Sequence, residues 1–88
     1  MNVDIAHSKN PALGWDVDVT VMAEGKESIA AVRIDINGFT KCEEEVDPPA
    51  RKWHRQMTQQ GDYPGDNSVV VTATDSDGQQ TTSVDEWS

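Results

Sequence analysis

Apolar and polar residues alternate with a period of two along much of this chain. Trp15, Val17, Val19 and Val21 fall on one side, and Asp16, Asp18 and Thr20 on the other. One apolar and one wet face is the mark of a strand in an antiparallel sheet. Ile29 to Ile36 repeats the pattern, with Val32, Ile34 and Ile36 opposite Arg33 and Asp35. Ser68 to Thr74 carries three consecutive valines, as expected of a central strand with apolar neighbours on both faces. Val3 to His7 alternates more weakly and predicts a first strand. Asn37-Gly38 predicts a type I′ hairpin, because both residues tolerate positive φ. The returning strand is Phe39 to Cys42, with Phe39 turned inward. Gln79 to Val84 is Thr-rich and predicts a last, edge strand. Asp85 to Ser88 is expected to be a short tail that carries Trp87.

Turn residues separate these segments at Ser8 to Gly14, Glu24 to Lys26, Gly61 to Asn67 and Asp75 to Gly78. Glu43 to Pro49 is expected to be a loop, since Pro48 and Pro49 lack backbone donors. Ala50 to Gln60 fits two readings. A helix would have Asp47 as cap, Pro48 in its first turn and Trp53 four residues before Met57. A strand would put Trp53, Arg55 and Met57 on one side, and the surrounding strands favour it.

Composition strengthens the β assignment. Val occurs ten times and Ile four, against a single Leu. Branched side chains suit a pleated surface better than a helix. The 88 residues are enough for one domain, 1–88, with the last four as its tail. The expected fold class is therefore all-β: a two-sheet antiparallel sandwich of about seven strands. Seven bases against sixteen acids give a net charge of −9. That charge argues against binding a nucleic-acid backbone or an anionic membrane. No apolar run is long enough for membrane insertion. The start is not basic and then apolar, so no signal peptide is expected. Cys42 has no partner for an internal disulfide, and Glu43, Glu44 and Glu45 beside it oppose a reactive thiolate.

The run Gly65-x-Asn67-x-Val69-x-Val71-x-Ala73-x-Asp75-x-Asp77-Gly78 resembles the last hairpin of bacterial immunoglobulin-like modules. Ile34-Asp35-Ile36-Asn37-Gly38 is similar to their middle strand. Met57 to Tyr63 resembles the G-x-Y turn of PKD-type relatives. The W-x-F-G-D-G signature of true PKD modules is absent, and one cysteine cannot form the antibody-type bridge. The resemblance implies an immunoglobulin-like sandwich in a secreted or cell-surface bacterial protein. Such modules space or join other domains and supply no catalytic residue.

Candidate chemistry is sparse. Asp75 and Asp77 offer hard oxygen ligands for calcium, with Glu43, Glu44, Glu45 and Asp47 as further donors and Glu86 at the twelfth position of an EF-hand count. The simpler reading of Asp75 to Gly78 is a hairpin turn. Trp87 and Trp53, with Trp15, offer rings for stacking on a glycan, although Trp15 and Trp53 also read as core. Arg51, Lys52 and Arg55 surround Trp53 and His54, and are expected to pair with the acids of Glu43 to Asp47. His7 and His54 stand near many acids, but no nucleophile elbow, H-E-x-x-H or phosphate loop accompanies them. The expectation is a monomeric, non-catalytic module without a required cofactor. Its partners would be neighbouring domains, a protein or a glycan, and its work spacing, adhesion or interaction. The alternative is an accessory carbohydrate- or calcium-dependent binding domain of an extracellular hydrolase.

Overall fold

The valine and isoleucine stripes close on each other as the seam between two antiparallel sheets. The structure is a computed structural model that describes residues 1–11, 14–60 and 66–88, with the side chains of 59 and 60 left out. Seven strands follow in order: β1 (Asn2–Asn10), β2 (Gly14–Met22), β3 (Ile29–Ile36), β4 (Phe39–Ala50), β5 (Lys52–Gln60), β6 (Asn67–Asp75) and β7 (Gln80–Trp87). One sheet has the order β1-β2-β5 and the other β4-β3-β6-β7. The expected G-x-Y turn lies largely outside the described residues.

The core is built as the alternation requires. Val17, Val19 and Val21 of β2 face Ile29, Val32, Ile34 and Ile36 of β3, with Val69, Val71 and Ala73 of β6 beside them; all eleven core residues except Trp53 are at most 1% exposed. Trp53 of β5 closes the layer at 8% exposed. Residues 52–60 are thus a strand, the reading that the surrounding sheet demanded. In register with β2, Trp53 lies opposite Val21 and Met57 opposite Val17, which puts both on the inner face.

Four expectations need correction. Glu43 to Pro49 is not a loop: β4 runs through it to Ala50. Both ladders of β3 shift register between Ile29 and Ala31, and four residues of β4, Val46 to Pro49, face that irregularity. The prolines therefore occupy a bulge on an edge strand, where no ladder donor is required. Asp85 to Ser88 is not a tail, because β7 pairs with β6 as far as Trp87 opposite Asn67. Phe39 points into solvent at 64% exposed, with the Lys41 ammonium over its ring. Trp15 is only half-buried. It lies at the start of β2, at the end of the stripe.

The Asn37-Gly38 turn takes the expected left-handed geometry, with φ of 51° and 84°. Asn37 does more than turn the chain. Its Oδ1 accepts from the Ser68 amide at 2.8 Å, its Nδ2 donates to Asn67 Oδ1 at 3.2 Å, and its own amide donates to the Ser68 carbonyl at 2.9 Å. Asn37→Gly keeps the backbone freedom and removes only the side-chain bonds. It is expected to lower unfolding free energy by about 1–3 kcal/mol, the range for a partly buried amide left unpaired; urea titration checks this.

Candidate functional site

The chemistry-bearing side chains gather at two places. The first is the end of the sandwich where β1 and β7, edge strands of opposite sheets, come together. His7 lies on the inner face of β1, opposite Val17. Its ring stacks on Trp87 of β7 at 4.0 Å and 10°, and Trp15 meets both rings at 5.6 Å and 5.4 Å. His7 Nδ1 bonds Asp85 Oδ2 at 2.6 Å. The Lys9 ammonium sits 5.2 Å from the Trp15 ring. The cluster works as a clamp: a stacked ring pair and a His–carboxylate bond hold the final strand against the first. Trp87 Nε1 is buried and finds no acceptor among the described residues. Trp87 is thus half-buried in a packed cluster and does not sit in a free tail. Sequence reasoning missed His7 and Asp85 as its partners, because they lie 78 residues apart.

Trp53, the other proposed stacking residue, faces the core, with the Arg55 guanidinium 5.5 Å from its ring. The basic cluster around it is divided by the period of the strand. Arg51 donates to the Glu27 carbonyl, His54 bonds Asp18, and among the described residues Arg55 alone of the cluster pairs with an acid of β4, Glu44. Asp16 and Asp18 stand on the outer face of β2, where Asp16 accepts from Asn10 and Thr58.

Asp75 is 5% exposed, and its Oδ1 accepts the amides of Asp77 and Gln79, both at 2.9 Å. Its carboxylate therefore shapes the β6–β7 turn. Glu86 pairs with Ser68 near the far end of β7, six residues from Gln80. At about 3.3 Å per residue that is roughly 20 Å away, so an EF-hand-like loop through Glu86 is not formed. Among the described residues, no three His, Cys, Asp or Glu side chains come together to hold a metal ion. Burial pushes the Cys42 thiol up, and Glu44 adds to this against the opposing Arg55. The thiol is thus not activated as a nucleophile.

The second place is the outer face of the four-stranded sheet, where Arg33, Asp35 and Thr40 form a triangle. Thr40 donates to Asp35 Oδ1 at 2.6 Å, while Arg33 donates to Asp35 at 3.2 Å and to Thr40 Oγ1 at 3.1 Å. The Thr40 hydroxyl, and then Arg33, hold the Asp35 carboxyl below its ordinary value against the opposing effect of burial. A depressed carboxylate stabilises the folded chain above its unfolded pKa of about 4, and that contribution is lost as pH falls through the folded value. Thr40→Val removes the largest cause. It is expected to flatten the decline in Tm as pH falls below about 4, which thermal melts across that window detect.

No family model, curated protein or solved structure matches this chain.

Proposed function

We propose that the chain is a non-catalytic immunoglobulin-like module that spaces and joins other parts of a larger secreted or cell-surface bacterial protein. The strand order supports the fold reading. In the immunoglobulin constant-type sandwich, strands 1, 2, 5 and 4 form one sheet and strands 3, 6 and 7 the other. Here β1, β2 and β5 and likewise β3, β6 and β7 keep those places, while β4 sits beside β3.

The observation that carries the functional reading is that β1 begins at one end of the long axis and β7 finishes at the other. Met1 ion-pairs with Glu27 beside the β2–β3 connection, at the end that also holds the β6–β7 turn. Trp87 lies at the other end, stacked on His7. The principal extents are 41 × 19 × 18 Å, so entry and exit are separated along the long axis. A body of that shape adds length to a chain of domains. The His7–Trp87 clamp anchors the end of β7 against β1. The net charge of −9 keeps successive copies apart.

Two copies joined directly in one polypeptide test this by small-angle X-ray scattering. The expected maximum dimension is close to twice the 41 Å axis. A tandem chain that folds back to nearly the dimension of one copy overturns the reading.

A further inference from the structure

The outer face of the β4-β3-β6-β7 sheet is shaped around Ala31. The register places Glu43, Arg33 and Thr72 in one cross-strand row, and Glu45, Ala31, Thr74 and Gln80 in the next. Ala31 has the smallest side chain of these, and it follows the shift that bends β3. The result is a depression of about 410 Å³ whose lining includes Arg33, Asp35, Glu43, Thr72, Thr74 and Gln80 around Ala31. That lies within the roughly 300–1,000 Å³ of ligand clefts.

We propose that this depression binds a neutral oligosaccharide, an inference that goes beyond the reading of the chain as a spacing module. Three features select that ligand class. First, the wall carries both donors and acceptors. The Arg33 guanidinium donates, the Glu43 carboxylate accepts, and the Thr72 and Thr74 hydroxyls and the Gln80 amide do both. Adjacent sugar hydroxyls need that mixture. Second, these groups are available: among the described residues, Glu43, Thr72, Thr74 and Gln80 spend no side-chain atom on a protein hydrogen bond. Asp35 and Thr40 meanwhile hold Arg33 in position. Third, the short Ala31 side chain leaves the space between its longer neighbours open, and its methyl offers a contact for the C–H face of a pyranose.

Charge excludes the competing classes. Among the described residues Arg33 is the one cation in the wall, and Asp35 at 3.2 Å already neutralises it, so an anion gains little. A metal ion would need carboxylates brought together, and Asp35 is committed to Arg33 and Thr40. Without an aromatic ring in the wall, the expected affinity is weak, with a Kd of order 1 mM.

Chemical-shift titration of the ¹⁵N-labelled chain with cello-, xylo-, manno- and malto-oligosaccharides tests the proposal. At least one sugar is expected to give saturable shifts at the amides of Ala31, Arg33, Thr72, Thr74 and Gln80. Ala31→Leu, which fills the floor, is expected to abolish them. The double substitution Thr72→Val and Thr74→Val keeps the shape and strand propensity, and is expected to weaken binding about tenfold. The proposal is overturned if no sugar in the panel saturates, if the shifts centre on Trp87 and Ser88, or if either variant binds like the parent. It is also overturned if spermine alone reproduces the shifts. A flat titration beside a tandem chain of doubled length would remove the sugar site and leave the spacer reading standing.

Discussion

Trp53→Ala is expected to be among the most damaging single substitutions in this chain, lowering unfolding free energy by about 3–5 kcal/mol. The indole is 8% exposed and closes the core against β2 and β3. Deleting it removes a large apolar area and leaves a cavity that two pleated sheets cannot easily collapse to fill. A domain of this length has roughly 4–13 kcal/mol of stability in all, so the variant is expected to be near or past its unfolding threshold at ambient temperature. Trp53→Phe keeps most of the volume and is expected to retain the fold with a smaller loss. Urea melts followed by far-ultraviolet circular dichroism measure both. A Trp53→Ala chain as stable as the parent would mean that the ring is not part of the seam.

Ile34→Ala is expected to lose about 2–5 kcal/mol. Ile34 is fully buried in β3, between Val71 of β6 and Cys42 of β4, and it faces the three-stranded sheet. No flank of the side chain is open to water, so the cavity term adds in full to the transfer term. Val84→Ala supplies the control. Val84 is 55% exposed on the outer face of β7, and its loss is expected to stay within about 0.5 kcal/mol. Comparable losses for the two variants would contradict the assignment of inner and outer faces.

The seam was legible because its residues are chemically extreme. Val17, Val19 and Val21 alternate with acids and Thr20, and Val69, Val71 and Ala73, also two apart, are 0% exposed. Position in the sheet was harder to read. A period of two gives the face of a residue and not its depth, so Trp15 looks equivalent to Val17 although it lies at the end of its strand and stays half-buried. Edge strands also blur the pattern. In β7 the half-buried positions are Thr81, Ser83, Asp85 and Trp87, while Val84 points out. Polar residues can point inward at a flank of the sandwich because water still reaches them, so Asp85 and Trp87 had no apolar rhythm to reveal a strand. Pro48 and Pro49 read as a break for a local reason, yet the edge strand β4 carries them where its ladder with β3 shifts register. The two places where chemistry gathers were the least legible. His7 meets Trp87 only once both sheets have formed, and the depression exists because Ala31 is small beside Arg33, Glu43 and Gln80.

Everything proposed for the molecule depends on β2, β3 and β6 being the interior strands of two facing sheets. Native-state amide hydrogen exchange reads this directly. The slowest amides are expected in Val17–Val21, Val32–Ile36 and Val69–Ala73, with faster exchange along β1, β4, β5 and β7. Slowest exchange in β4 or β7, or no slow amides in the three interior strands, would contradict the architecture.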